Sequence, residues 1–387
     1  MSFLYFNAAS GRRPLPGPSR APLAFHARLP GYEATPLLSL TALARDSDLS
    51  AILVKAEAQR FGLPAFKVLG ASWAVYRALA EKFGRAAEQW TSVEEWRSIL
   101  DRWPPICLSS ATDGNHGRAV ARIARWLGMR ARIYMPLGTV DARIDAIRSE
   151  GADVIIVDGT YDDAVARAAR ELEANGMLLQ DTAWEGYETI PGWIVEGYST
   201  LLWEIDDALR TLGEPGPTHV LVQIGVGSLA DAVVRHFRRA DVTPAPVIIG
   251  VEPTRAACAL RAVEAGHSVE IPGPHDSIMA GLNCGVVSSL SLPVLSSGVD
   301  CFVAIDDERA REGMRLLAKA GLVAGETGAA GLGGLIELLA RVETRARLGL
   351  TSASRVLLIC TEGATDPASY RTIVGTPPAA SAQSRPA

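Results

Sequence analysis

Residues 61–72 read F-G-L-P-A-F-K-V-L-G-A-S and set one lysine, Lys67, among apolar and glycine neighbours. Loss of hydration between Phe66 and Val68 would lower the pKa of this amine and favour Schiff-base chemistry. Lys67 is therefore a candidate covalent anchor for a carbonyl-bearing cofactor. The alternative is a surface lysine at a helix start, whose aliphatic stem covers apolar neighbours. The choice between them depends on the rest of the chain.

Composition narrows the class of protein. The chain has 387 residues, of which 48% are hydrophobic, which is ample for a core and for two domains. A net charge of -5 gives no basic footprint for nucleic acid or an anionic membrane, so a small-molecule partner is expected. Five cysteines without C-x-x-C spacing, and an N-terminus without a signal-like apolar run, predict a cytoplasmic protein.

Short apolar runs alternate with amphipathic stretches from residue 106 to 174 and again from 218 to 360. This alternation predicts an α/β fold with two open twisted, mostly parallel sheets and helices on both faces. We expect a large domain of residues 1–105 and 190–375 and a small domain of residues 106–189. The low-complexity end, residues 376–387, predicts a disordered tail.

A polar loop, S-S-A-T-D-G-N-H-G at residues 109–117, lies between a predicted strand and a predicted helix. Successive backbone N–H groups there can converge on an anion such as a substrate carboxylate. Asn115 can hydrogen-bond a cofactor hydroxyl, and Asp113 adds a carboxylate at the same rim. An ordinary strand-to-helix turn would favour the same residue types.

A second loop, G-V-G-S-L-A at residues 225–230, follows an apolar strand and opens a helix. Glycines allow close approach of the backbone to a phosphate, and the helix N-terminus supplies donors. A tight turn without a ligand is the alternative. Asp231 is an anion near the expected phosphate, so its side chain must point away or be neutralised.

Three further segments carry polar or glycine-rich patterns. Q-D-T-A-W-E-G-Y at residues 180–187 suits a pocket for a cationic group, or else a solvated loop over packed aromatics. C-T-E-G-A-T-D-P at 360–367 puts polar groups at a strand end, where a parallel sheet meets its ligand. E-T-G-A-A-G-L-G-G at 326–334 is interpreted as another glycine-rich turn, whose glycines close helix packing explains as well as a ligand does. The histidines lack metal-ligand spacing, so no metal is expected.

In this order, the lysine, the two loops and the polar strand end resemble the tryptophan synthase β-like (fold type II) group of pyridoxal phosphate enzymes. Within that group, F-G-L-P-A-F-K-V-L-G, A-T-D-G-N-H-G-R, Q-D-T-A-W-E-G-Y, I-M-A-G-L-N-C-G, G-E-T-G-A-A-G-L-G and T-E-G-A-T-D-P are similar to blocks of the diaminopropionate ammonia-lyases. The resemblance implies that fold, pyridoxal 5'-phosphate between the domains, and a homodimer. It also implies α,β-elimination of D- and L-2,3-diaminopropionate to pyruvate and two ammonia.

The resemblance also implies roles for individual residues. Lys67 would carry the cofactor and act as base on one face of the substrate, and Asp113 would be the acid/base on the other face. Asp181 would bind the β-ammonium group, and Tyr187 is a further substrate-binding candidate. The substrate carboxylate would meet the segment made of Thr112, Asp113, Gly114, Asn115 and His116.

The remaining implied roles concern the cofactor. Asn115 would contact its ring hydroxyl, and either Cys360 or Thr361 would meet its pyridine nitrogen. Its phosphate would be held by the backbone of Gly225, Val226, Gly227, Ser228 and Leu229.

Two other functions stay open. One is a serine/threonine dehydratase or another amino-acid β-lyase on the same fold, and the other is a non-catalytic ligand-binding protein that kept the fold. Dehydratases and racemases of this group usually carry serine where this chain has Asp113. Asp113 and the Q-D-T-A-W-E-G-Y block are therefore the signals that favour the lyase.

Overall fold

Two mostly parallel sheets with helices on both faces carry the chain, so the predicted fold class is confirmed. The computed structural model describes residues 3–11, 13–84 and 88–378. Its strands are β1 Phe3–Phe6, β2 Leu37–Ser39, β3 Ala51–Ala56, β4 Cys107–Ala111, β5 Arg130–Pro136, β6 Asp153–Val157, β7 Gly176–Leu178, β8 His219–Gln223, β9 Val247–Pro253, β10 Cys301–Ile305 and β11 Arg355–Cys360.

The helices alternate with these strands, as the apolar periodicity predicts. They are α1 Ala21–His26, α2 Thr41–Asp46, α3 Val68–Phe83, α4 Val93–Leu100, α5 Asn115–Leu127, α6 Asp141–Arg148, α7 Tyr161–Arg170, α8 Thr189–Leu212, α9 Ser228–Phe237, α10 Cys258–Ala265, α11 Leu292–Gly298, α12 Asp307–Lys319, α13 Glu326–Leu339, α14 Val342–Leu348 and α15 Pro367–Val374.

The larger sheet has the strand order β1-β10-β9-β8-β11-β3-β2. Its five inner strands run parallel, while β1 and β2 pair antiparallel at the two edges. The inner strands β3, β8 and β10 are buried along their whole length. Helices on both faces account for their continuous apolar sequences, since a parallel strand has no solvent-facing side.

The smaller sheet has the order β6-β5-β4-β7, and all its pairs are parallel. One buried apolar cluster reaches from Leu108 and Ile133 in this sheet to Val220 and Phe302 in the larger one. The two sheets therefore share a continuous core. The division into a large domain of residues 1–105 and 190–375 and a small domain of residues 106–189 stays a prediction. All four strands of the smaller sheet lie within residues 106–189.

Two expectations concern the glycine-rich segment 326–334 and the C-terminal end of the chain. The segment 326–334, expected to be a turn, lies in α13, so that expectation is wrong. Most of the predicted disordered tail, residues 379–387, lies outside the described residues. Within residues 3–11, 13–84 and 88–378, no helix combines the length and apolar character that a membrane span requires.

Candidate active site

A cavity of about 790 Å³ opens where the carboxyl ends of strands from both sheets face each other. Its wall includes residues that directly follow β4, β5, β8 and β11. Ligands of parallel α/β sheets bind at this edge, and the volume suits a small-molecule ligand. Lys67 lines this cavity, so it is not a surface lysine.

The backbone around Lys67 is held from both sides. Before it, Phe61 and Gly62 adopt positive φ angles of 54° and 69°, which turn the chain back towards α3. After it, α3 packs against α8 through two glycines: a Cβ on Gly70 would lie 2.5 Å from the Tyr198 ring, and one on Gly197 would lie 2.6 Å from a backbone oxygen of α3. This close packing fixes the helix that begins directly after Lys67.

A buried ion cluster anchors the loop that leads to Lys67. Arg60 is 1% exposed, and its Nη2 lies 2.6 Å from Glu57 Oε1 and 2.6 Å from Glu204 Oε2. Lys55 Nζ lies 2.6 Å from the same Glu204 oxygen. Two cations and two carboxylates thus balance one another out of water, as buried charges require.

Lys67 forms an ion pair with Asp181, whose Oδ2 lies 2.5 Å from Nζ. Burial alone lowers the pKa of Lys67, but the Asp181 carboxylate raises it above the ordinary lysine value. The expectation of a lowered pKa is therefore wrong, because it considered loss of hydration without a partner. Burial raises the pKa of Asp181, yet Lys67 and His116 outweigh it and bring that pKa to about 2.

The loop after β4 brings Asp113 to the same cavity. Thr112 Oγ1 shapes the loop, because it accepts hydrogen bonds from the N–H groups of Gly114 at 2.9 Å and Gly117 at 3.1 Å. Burial raises the pKa of Asp113, while Arg143 and Lys67 oppose the rise. A carboxyl with a raised pKa is suited to give and take a proton.

Four of the five residues expected at the substrate carboxylate line the cavity: Thr112, Asp113, Asn115 and His116. Gly114 does not line the cavity, and its N–H bonds to Thr112. Its φ of +154° instead allows the turn that precedes α5. In the first turn of α5, the N–H of Gly117 donates to Thr112, while the N–H groups of Asn115 and His116 have no partner within their own helix, and an anion at this wall would supply one.

The glycine-rich loop after β8 forms a cradle at the N-terminus of α9. A Cβ on Gly225 would lie 2.9 Å from the carbonyl oxygen of Gly281, and Gly227 has a φ of +102°. Residues 225–229 all line the cavity. Ser228 Oγ donates to the backbone oxygen of Asp181 at 2.6 Å, which ties the cradle to the ion pair.

Asp231 does not conflict with an anion in this cradle. Its side chain is fully buried outside the cavity wall, and Oδ1 accepts a hydrogen bond from Arg235 Nε. The sequence requirement that Asp231 be turned away or neutralised is therefore met in both respects.

The two candidates for the pyridine nitrogen occupy different places. Thr361 lines the cavity, and its Oγ1 accepts a hydrogen bond from Gln223 Nε2 at 2.8 Å. Cys360 is 1% exposed and packs in the apolar core behind the wall. Of the two, Thr361 is the side chain that a ligand in the cavity can reach.

Tyr187 lies away from the cavity wall. Its hydroxyl donates to the backbone oxygen of Leu178 at 2.7 Å and accepts from the N–H of Gln180 at 3.0 Å, and its ring stacks on Trp184. Both hydrogen-bonding positions serve the backbone, so the geometry does not support a substrate-binding role. From the Q-D-T-A-W-E-G-Y segment, Asp181 alone lines the cavity.

Sequence reasoning missed several residues of the cavity wall: Arg143, Tyr161, Cys284 and Glu362. Cys284 and Glu362 stood within quoted blocks, so their blocks could have identified them. Arg143 and Tyr161 lie in the first turns of α6 and α7, which are amphipathic helices of ordinary composition. No signal in the sequence distinguishes them from solvent-facing residues.

These residues fit pyridoxal phosphate. Lys67 offers the primary amine that forms a Schiff base with its aldehyde, and the 225–229 cradle lines the cavity at the N-terminus of α9, a position that suits a phosphate. Asn115 and Thr361 add polar side chains to the wall of the same cavity. The cavity is large enough for the cofactor and a small amino acid together.

Comparison with known proteins gives the same result. The family model of pyridoxal-phosphate dependent enzymes matches residues 28–362. The diaminopropionate ammonia-lyase of Salmonella typhimurium is 41% identical over 91% of this chain and 90% of its own length. The enzyme of that name from Escherichia coli K12 is 39% identical over 96% of this chain and 94% of its own length.

Solved structures agree with the sequences. A crystal structure of the Escherichia coli diaminopropionate ammonia-lyase in complex with D-serine superposes with a TM-score of 0.90 and 37% identity, covering 97% of each chain. The same enzyme holding an aminoacrylate-PLP azomethine reaction intermediate superposes with a TM-score of 0.88, covering 97% of each chain. The resemblance found in the sequence is thereby confirmed: the chain belongs to the pyridoxal-phosphate dependent enzymes and, within them, to the family of the diaminopropionate ammonia-lyases.

Proposed function

We propose that this chain catalyses the pyridoxal-phosphate dependent α,β-elimination of 2,3-diaminopropionate, in both the D and L forms, to pyruvate and two molecules of ammonia. The observation that carries the proposal is the ion pair of Lys67 and Asp181 in a cavity that Asp113 also lines. The similarity to diaminopropionate ammonia-lyases over more than nine-tenths of the chain supports the same function.

The cofactor acidifies the α-proton of the substrate, and side chains of the protein remove that proton. When bound, pyridoxal phosphate withdraws electrons from the α-carbon of an attached amino acid and so acidifies its α-proton. Lys67 Nζ is the proposed base for one enantiomer and the Asp113 carboxyl for the other. Burial raises the pKa of Asp113, which makes its carboxylate a better proton acceptor than an exposed aspartate.

Asp181 is the proposed site for the β-ammonium group. An amine leaves poorly unless it is protonated, so the elimination requires a group that keeps the β-nitrogen cationic. With an ammonium group beside it, the Asp181 carboxyl has a pKa of about 2 and is ionised at neutral pH. In the structure, Asp181 pairs with the ammonium group of Lys67. The substrate's β-ammonium group would take the place of the lysine ammonium.

The carboxylate wall is the proposed site for the substrate's own carboxylate. Asn115 and His116 stand in the first turn of α5 and line the cavity. The partial positive charge of the helix N-terminus favours an anion there. A substrate held between this wall and Asp181 would present its α-carbon to Lys67 and Asp113.

The Asp113→Asn variant tests the two-base assignment. We expect turnover of one enantiomer of diaminopropionate to fall roughly 10²- to 10⁴-fold, because an amide cannot accept the proton. Turnover of the other enantiomer should fall less than about tenfold, since Lys67 remains in place. Steady-state assays with the separate D and L substrates measure the ratio. Equal losses for both enantiomers would refute the assignment.

The rival function is a serine or threonine dehydratase. Elimination of water from serine would release one ammonia for each pyruvate, whereas elimination from diaminopropionate releases two. We expect the purified holoenzyme to give two ammonia per pyruvate from both D- and L-diaminopropionate. Measured product ratios near one, or pyruvate formed from serine alone, would favour the dehydratase.

A homodimer in the cytoplasm is the proposed setting. The family resemblance supports the dimer, and sedimentation of the holoenzyme tests it. All five cysteines are free thiols and four of them are buried, which supports a reducing compartment.

A further inference from the structure

Glu362 is a buried carboxylate at the wall of the cavity. It directly precedes Gly363 in the loop after β11 and is 3% exposed. Its Oε2 accepts a hydrogen bond from the side-chain amide of Asn115, and its Oε1 accepts one from the backbone N–H of Thr327 at 3.3 Å. A carboxylate with two fixed donors has a defined orientation, which a solvated side chain lacks.

The contact restricts the amide of Asn115. An asparagine amide has an NH2 donor end and a carbonyl acceptor end, and rotation about the side chain exchanges them. An ionised carboxylate only accepts, so it faces the NH2 end, and the rotated amide would set two oxygens against each other. One N–H of Nδ2 is used by Glu362, and the second N–H remains available to a ligand in the cavity that Asn115 lines.

Groups on several elements raise or lower the pKa of Glu362. Burial raises its pKa, and Glu326 in the first turn of α13 raises it further. Arg143 of α6, together with the two hydrogen-bond donors Asn115 and Thr327, opposes the rise. The pKa of Glu362 remains raised overall, and the carboxylate form is indicated by the geometry, because each of its two oxygens receives an N–H donor.

We propose that Glu362 is a positioning residue that holds the Asn115 amide as a hydrogen-bond donor to the ring hydroxyl oxygen of bound pyridoxal phosphate. The inference rests on the cofactor site of the proposed function. A donated N–H stabilises the ionised form of that oxygen, whereas the amide carbonyl would require the protonated form. Glu362 thus sets the protonation state of the cofactor ring through Asn115, without contacting the substrate.

Substitution of Glu362 tests the proposal on the holoenzyme without substrate. In Glu362→Ala, we expect the dissociation constant for pyridoxal phosphate to rise roughly ten- to a hundredfold, as the loss of a charge-assisted hydrogen bond implies. The absorbance of the bound cofactor should shift from the visible band towards the near-ultraviolet band of a protonated ring oxygen. Glu362→Gln keeps one acceptor oxygen for the two donors Asn115 and Thr327, so it should retain more of the visible band than Glu362→Ala does.

Two comparisons separate this role from a general structural one. Glu326→Gln removes the neighbouring buried carboxylate, which bonds to Ser369, does not line the cavity and raises the pKa of Glu362. Because this change favours the Glu362 carboxylate, neither the visible band nor the affinity for pyridoxal phosphate should fall. Asn115→Ala should reproduce the spectral shift of Glu362→Ala, and the double variant should add nothing to it. Additive effects, or a wild-type spectrum in Glu362→Ala, would overturn the inference. A wild-type protein that binds no pyridoxal phosphate would instead contradict the proposed function itself.

Discussion

The Lys67→Ala variant should lose the visible absorbance of bound pyridoxal phosphate and retain no more than roughly 10⁻⁴ of wild-type turnover. Among the described residues, Lys67 is the one lysine at the cavity wall, and it directly precedes the helix that the glycine contacts between α3 and α8 hold in place. The substitution removes both the proposed cofactor anchor and the proposed base. Absorbance spectra and pyruvate release measure the two losses separately.

The control for this variant lies on the same helix. Lys82 stands in the last turn of α3, where its Nζ lies 5.7 Å from the ring of Phe83 and away from the cavity. Lys82→Ala should keep the spectrum and the turnover. Because Lys67→Ala leaves the Asp181 carboxylate without its partner, near-ultraviolet circular dichroism should verify that the variant is folded. A folded Lys67→Ala protein with wild-type colour would rule out Lys67 as the anchor.

The Asp181→Asn variant should lose roughly 10²- to 10³-fold in kcat/KM for diaminopropionate and less than about tenfold for serine. The amide removes the negative charge that is proposed to bind the β-ammonium group, and serine has no such group. Loss of the ion pair also allows burial to lower the pKa of Lys67. That change affects both substrates alike, so the ratio of the two kcat/KM values isolates the contact with the β-nitrogen.

Asp162 provides the matched control. It also lines the cavity, but its electrostatic neighbours are His275, Glu270 and Asp163 rather than Lys67. Asp162→Asn should leave the substrate ratio within about threefold of wild type, as expected for a charge without a direct contact. If Asp181→Asn lowered the values for both substrates equally, Asp181 would act on the cofactor or on Lys67 and not on the β-ammonium group.

The alternation of strands and helices made the fold class predictable. The glycine-rich sequence of α13, in contrast, led to the wrong prediction of a turn. Four glycines between positions 328 and 334 suggested a turn, because glycine is a poor helix former. In the structure, a Cβ on Gly328 would lie 2.2 Å from the backbone oxygen of Glu362, and one on Gly334 would lie 2.7 Å from Val251. Gly328 packs against the loop after β11 and Gly334 packs against β9, and neither position has room for a side chain. Tertiary contacts therefore outweigh the low helix propensity of glycine.

The position of Lys67 was predictable from its local sequence, whereas its electrostatics were not. Asp181 lies 114 residues further along the chain, and only the meeting of two sheets brings it to 2.5 Å from Nζ. The residues next to Lys67 indicate that burial lowers its pKa, but they do not indicate a charged partner from another element that raises it. Tyr187 illustrates the opposite case, since its place beside Asp181 in the sequence did not bring it to the cavity.

The preference for diaminopropionate over serine tests the central claim most directly. We expect the wild-type holoenzyme to show a kcat/KM for diaminopropionate at least roughly 10² times that for the same enantiomer of serine, because the ionised Asp181 is matched to an ammonium group. Both values come from pyruvate release under identical conditions. A preference for serine, or equal values for the two substrates, would contradict the account.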